Sequence, residues 1–206
     1  MGVPAHLVLA GLARRLPHDT VVVRQGEPST SLYLMERGTM RLSCVTVDGR
    51  ELVVGLLGSG DVFGEAALLG EPSPVEARTV GASIVVGYDA ELLPLVIRDR
   101  PLVGTELLRL VAARTHRTER ALTDALTTDL ASRIAARLRD LANQHGAKVD
   151  DGVRLTIPLT QDELARMVGA SREAVNRSLR SLVARDLVRT ERRTVVIPDL
   201  DALART

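Results

Sequence analysis

Leu159-Thr160-Gln161-Asp162-Glu163-Leu164-Ala165, followed across Gly169-Ala170 by Ser171-Arg172-Glu173-Ala174-Val175-Asn176-Arg177, decides the fold of this 206-residue chain. Thr160 and Glu163 stand in T-x-x-E spacing, a capping box that opens a helix with Leu164, Met167 and Val168 turned inward. Gly169-Ala170 ends that helix in a turn, and the Ser171 hydroxyl is placed to cap the next one. In the second helix Val175, Leu179, Leu182 and Val183 form an apolar stripe. Arg172, Glu173, Asn176, Arg177 and Arg180 occupy the opposite face. Two helices joined by a glycine turn, the second carrying a basic polar face near its start, predict a helix-turn-helix.

The spacing has a physical reason. The DNA major groove admits one helix and presents each base pair as a distinct pattern of donors and acceptors. Arg172, Glu173, Asn176 and Arg177 project from one face near the helix start and are the candidate base readers. An arginine fork grips guanine, and a carboxylate accepts from cytosine. An acid aimed at a polyanion makes sense only if it reads a base or holds an arginine in place. The bland alternative is an exposed helix with a Glu173 to Arg177 pair one turn apart. Leu187 to Ile197 reads as a β wing with Arg189, Arg192 and Arg193 around its tip. Thr160, Ser171, Arg180, Arg192 and Arg193 are assigned to the DNA backbone. The overall charge of +1 hides an asymmetry: residues 1–128 carry 13 basic and 15 acidic groups, residues 129–206 carry 14 and 11. Between Arg166 and Arg193 eight arginines face Glu173, Asp186 and Glu191, a local excess that favours a polyanion.

Upstream, from Thr20 to about Asp89, short apolar runs are punctuated by glycine: Val21-Val22-Val23, Leu32 to Met35, Met40 to Val47, Leu52 to Leu57 and Ile84 to Val86. With Asp48-Gly49 as a hairpin turn, this predicts a β jelly-roll barrel of about eight strands. From Asp89 to Gln144 the pattern is helical. Pro101 can open a long helix on which Leu108, Thr115 and Leu122, and in a second set Val111, Thr118 and Ala125, recur every seven residues. That is a dimer seam; a core helix packed on the barrel uses Leu107 and Leu110, and both faces can serve at once. Thr127-Thr128-Asp129 breaks the run as a hinge and caps a helix bearing Leu130, Ile134, Leu138 and Leu141. Val153, Leu155 and Ile157 alternate as a short strand. The expected class is α+β: a β jelly-roll barrel over 1–100, a dimerisation helix and hinge over 101–128, and a winged helix-turn-helix over 129–206.

Composition narrows the function. Phe63, Tyr33 and Tyr88 are the only aromatic residues, too few to stack bases, so double-stranded DNA is the expected nucleic acid. A single cysteine, Cys44, points to a reducing, cytoplasmic setting and is best read as a small buried strand residue. The charges near the start, Arg14 and Arg15, follow the apolar run where a signal peptide has them before it. No apolar stretch is long enough to span a membrane. A metalloenzyme on the same barrel shape needs histidines there, yet the four are His6, His18, His116 and His145. Without a G-x-S-x-G elbow or a Walker loop, no enzyme and no metal is expected.

Asp61-Val62-Phe63-Gly64-Glu65 in a glycine-punctuated barrel, a long helix, and the helix-turn-helix stretch together resemble the cyclic AMP receptor protein and FNR family of bacterial transcription regulators, from Val21 to Leu203. The resemblance implies a homodimer through the long helix, Arg172, Glu173 and Arg177 as base readers of a TGTGA-like half-site, and RNA polymerase as a partner. It also implies an effector pocket around Gly64, Glu65, Val75, Glu76, Thr118 and Glu119. Cyclic-nucleotide-binding members place Arg and Ser or Thr just before the alanine that matches Ala77, where this chain has Val75 and Glu76. Thr118 matches the residue that meets adenine, but its neighbour is Glu119, and the cysteines of an iron–sulfur sensor are missing. The expectation is a regulator with no cofactor that binds DNA without cyclic AMP. The alternative is a sensor whose cyclic nucleotide or other small ligand gates DNA binding.

Overall fold

The computed structural model describes residues 11–191 and 194–205. The chain divides into two compact units, one ending at Thr115 and the other starting at His116.

The first unit is built on eight strands: β1 (Leu12–Leu16), β2 (Val21–Val23), β3 (Ser31–Arg37), β4 (Met40–Val45), β5 (Glu51–Leu57), β6 (Val62–Phe63), β7 (Glu76–Thr79) and β8 (Ser83–Asp89). They form two antiparallel four-stranded sheets, ordered β1-β8-β3-β6 and β2-β7-β4-β5. Strand alternation gives each residue of β3 a face. Met35 joins Leu16, Val23, Met40, Leu42, Leu57, Phe63, Ala77 and Val85, drawn from all eight strands, in the barrel core. Leu32 and Leu34, on the other face, join Val62, Val86 and Tyr88 against two helices, α1 (Leu93–Asp99) and the start of α2 (Pro101–Thr127), through Leu93, Val103 and Leu107. Tyr33 stacks on Phe63 with ring centroids 5.1 Å apart. Cys44 lies on β4, half-buried instead of fully enclosed.

The barrel starts earlier than the sequence pattern implies. β1 precedes Thr20 and pairs with β8 from Leu12 to Leu16, but it is an edge strand that buries only Leu16, and Arg14-Arg15 interrupt its alternation. A 3-10 helix over Glu65–Leu68 is also new.

In the second unit, α2 runs out at Thr127. Thr123, Thr127 and Thr128 donate their hydroxyls to the carbonyls of Glu119, Thr123 and Asp124, a back-bonding that weakens a helix at its end. Asp129 then caps α3 (Leu130–His145) by accepting from Ser132 N at 2.8 Å. The Ser132 backbone N–H holds the Asp129 carboxyl below the ordinary carboxylate range. Beyond α3 come β9 (Gly146–Val149) and β10 (Gly152–Leu155), α4 (Gln161–Val168), α5 (Arg172–Ala184), β11 (Arg189–Glu191), β12 (Thr194–Ile197) and α6 (Leu200–Ala204). The third sheet is ordered β11-β12-β10-β9. The strand expected over Val153 to Ile157 is β10, ending at Leu155, and its hairpin partner β9 was hidden because Gly146–Val149 is largely exposed and carries no alternation. Gly152 adopts φ +136°, and a Cβ there would meet the Ile197 carbonyl at 2.3 Å, so β12 can lie this close only to glycine. Ile134, Leu138 and Leu141 of α3 are buried with Leu164, Val175, Leu179, Leu182 and Leu203, the core against which α4, α5 and α6 pack. Val183 is not part of it; at 41% exposure it lies at the rim of the stripe. Among the described residues no helix is long and apolar enough to cross a membrane.

Candidate functional site

The helix-turn-helix is assembled from local hydrogen bonds. Thr160 Oγ1 accepts from Glu163 N at 3.1 Å and donates to Glu163 Oε2 at 2.8 Å, while Thr160 N donates to the same oxygen at 2.8 Å. Arg166 closes an ion pair on Asp162 one turn back. Gly169, in the left-handed conformation at φ +66°, ends α4 and returns its N–H to Ala165 O. Ser171 Oγ accepts from Ala174 N at 3.2 Å and starts α5. Val175, Leu179 and Leu182 bury the inner face of α5, so the outer face is fixed by helical geometry.

On that outer face Arg172, Glu173, Arg177 and Arg180 are exposed. Asn176 is half-buried, and its Nδ2 donates to Gln161 Oε1 of α4 at 3.2 Å. Of the groups assigned to the DNA backbone, Ser171 and Arg180 are exposed, whereas the Thr160 hydroxyl proton is engaged by Glu163. Arg192 and Arg193 lie outside the described residues. Arg189, which precedes them on β11, donates Nε to Asp186 at 3.1 Å and Nη1 to Asp151 at 2.8 Å, and the Asp186 hydrogen bond raises its pKa.

Of the residues assigned to the effector pocket, Gly64, Glu65, Val75 and Glu76 belong to the first unit, and Thr118 and Glu119 to the second. Gly64 sits at φ +82°, where a Cβ would meet Ser31 O at 2.7 Å, and this delivers Glu65. The Glu65 carboxylate is gripped by the fork of Arg114 on α2: Nη1 donates to Oε2 at 2.6 Å and Nη2 to the other oxygen. Arg114 Nη1 also reaches Val62 O at 3.2 Å. Arg114 was not singled out from the sequence. Val75 packs its side chain against the barrel core. Glu76 shares with Arg78 the face of β7 opposite the buried Ala77 and Thr79, accepting Arg78 Nε at 2.8 Å while Arg78 Nη1 donates to Asp19 at 3.1 Å. Arg78 therefore points away from the barrel core with its charge matched. Val75 and Glu76 themselves offer neither a guanidinium nor a hydroxyl.

Thr118 and Glu119 are both exposed on the part of α2 in the second unit, Glu119 facing His116 at 3.3 Å. Along α2, Leu108 and Leu122 are 70% and 60% exposed, with Thr115, Thr118 and Ala125 exposed between and beyond them. Leu126, outside the expected seam, continues this apolar surface. Val111 instead packs partly against the core beneath α1 and α2. The interruption expected over Thr127 to Asp129 lies between the last residue of α2 and the cap of α3.

A Crp-like helix-turn-helix domain matches residues 132–206 and a cyclic nucleotide-binding domain matches residues 13–98. The CRP-like cAMP-activated global transcriptional regulator of Mycobacterium tuberculosis is 36% identical over 204 residues, covering 96% of this chain and 91% of that protein. The chain belongs to the CRP/FNR family of transcription regulators. The cyclic AMP receptor protein of Thermus thermophilus is 33% identical, with 93% of this chain and 86% of that protein covered. Among solved structures, the c-di-GMP-responsive global regulator CLP of Xanthomonas campestris superposes with a TM-score of 0.76 at 28% identity, covering 95% of this chain and 97% of that one. As a CRP/FNR member the chain is a DNA-binding transcription regulator and not an enzyme.

Proposed function

We propose that the protein acts as a cytoplasmic homodimer that recognises an inverted repeat through two copies of α5 and does so without cyclic AMP. The observation that carries the DNA reading is the exposed set Arg172, Glu173 and Arg177 on a helix whose opposite face is buried through Val175, Leu179 and Leu182. Two such helices related by a dyad meet half-sites about one helical turn, roughly 34 Å, apart. The exposed leucines of α2 supply the dyad, because an apolar stripe with this period is covered by a second copy of itself. RNA polymerase is the partner a regulator bound beside a promoter would meet.

Independence from cyclic AMP rests on charge. A buried phosphate must be paired with donors, and an unpaired buried charge costs several kcal/mol. Val75 has no donor, Arg78 is engaged by Glu76 and Asp19, and the Arg114 fork is filled by Glu65. The name of the Xanthomonas relative, responsive to c-di-GMP, fits a family in which the barrel's ligand changes while the DNA-binding half is kept. Selection of duplexes from a random pool tests the DNA reading: an enriched inverted repeat with TGTGA-like arms supports it, and enrichment of no sequence contradicts it.

A further inference from the structure

The one side chain of the α5 polar set that is not exposed is Asn176, and it is bonded to Gln161, the first residue of α4. An amide that donates from Nδ2 into Gln161 Oε1 fixes which way the Gln161 amide faces. With Oε1 turned to Asn176, the two N–H groups on Gln161 Nε2 are directed away from it. At the start of α4 the other side chains are already committed: the Thr160 hydroxyl proton to Glu163, and the Asp162 carboxylate to Arg166. Gln161 is therefore the side-chain donor that this end of α4 has to offer.

We propose that Asn176 is a positioning residue, not a base reader, and that it holds Gln161 as a hydrogen-bond donor to a DNA phosphate. The inference rests on the helix-turn-helix reading, in which the first helix crosses the backbone while the second lies in the groove. It changes the assignment of the face: Arg172, Glu173 and Arg177 are left to read bases, and Asn176 acts through α4. Gln161 and Asn176 are 15 positions apart, so the pair exists only when the two helices are packed. Because a neutral amide displaces no condensed counterion, the contact adds affinity without adding to the salt dependence that each arginine contributes.

The test is fluorescence anisotropy of the full chain on the duplex that wild type enriches from a random pool, on single-base-pair variants of that duplex, and at several salt concentrations. Asn176→Ala and Gln161→Ala should each weaken binding roughly three- to tenfold, the worth of one hydrogen bond. The double variant should be no weaker than the weaker single one. The loss should be the same on every base-pair variant, with the salt slope unchanged. Loss of preference at one base pair in Asn176→Ala but not in Gln161→Ala would make Asn176 a base reader and overturn the proposal. Losses that multiply in the double variant, or no loss in either single one, would overturn it equally. Failure of wild type to enrich any duplex would instead remove the DNA reading on which it stands.

Discussion

Arg114 on the long helix and Glu65 beside the barrel form a two-pronged ion pair, with Nη1 to Oε2 at 2.6 Å and the second prong on the remaining oxygen. The two side chains are about a quarter to a third exposed, so the pair is neither a free surface contact nor a fully desolvated one. It ties the helix to the 3-10 turn over Glu65–Leu68.

Arg114→Met keeps the length of the side chain and removes the fork. The Glu65 carboxylate and the Val62 carbonyl then lose their donor, which should cost about 1 to 2 kcal/mol once solvent screening is allowed for. Urea denaturation monitored by far-UV circular dichroism measures it. A variant as stable as wild type would mean that the pair contributes nothing net.

Leu108→Glu together with Leu122→Glu should convert a dimer into monomers on light scattering. Both side chains are exposed in the single chain, so the change leaves its folded core intact. Val111 is unsuitable for this test because it also packs on the first unit's core. A dimer that survives both charges would place the interface elsewhere.

Much of this was legible in the residues. The capping box, the Gly169 turn and the Ser171 cap are local, and each was met at the expected atom because a hydroxyl two or three residues from an orphan N–H has little choice. What escaped the sequence was tertiary. Arg114 sits seven residues after Leu107 and three after Val111, so it continues the barrel-facing stripe of α2, and a charge on that stripe calls for an acid opposite. That signal was present but weak beside the heptads on the other face. The engagement of Asn176 by Gln161 left no mark in either helix, since each residue taken alone is an ordinary polar one. β1 and β9 were missed because an edge strand with one buried residue, or none, has no period to read.

Arg177→Ala should cost about 1 to 3 kcal/mol on the enriched duplex and relax preference at one G·C pair. Arg180→Ala, assigned to a phosphate, should weaken every duplex alike and lower the salt slope by about one. Titrations on specific and random DNA separate the two. Identical losses on both duplexes for both variants would deny Arg177 a base contact.

Alkaline stability should depend on Tyr88. Burial pushes its phenol up to about 12, against about 10 in an unfolded chain. Between those values the unfolded chain gives up a proton that the native one keeps. The contribution is therefore fully present below about pH 10 and lost as pH rises through 12. Tyr88→Phe should remove up to roughly 3 kcal/mol of the alkaline loss of stability. An unchanged alkaline limb in thermal melts of the variant would assign that loss to other groups.

The most direct measurement is the affinity of the dimer for its enriched inverted repeat, titrated with and without millimolar cyclic AMP and paired with calorimetry of cyclic AMP against the protein alone. With Val75 and Glu76 where the phosphate fork would be, and the Arg114 fork filled by Glu65, the DNA affinity should be the same in both titrations and the calorimeter should show no heat of binding. Tight cyclic AMP binding accompanied by a gain in DNA affinity would contradict the account.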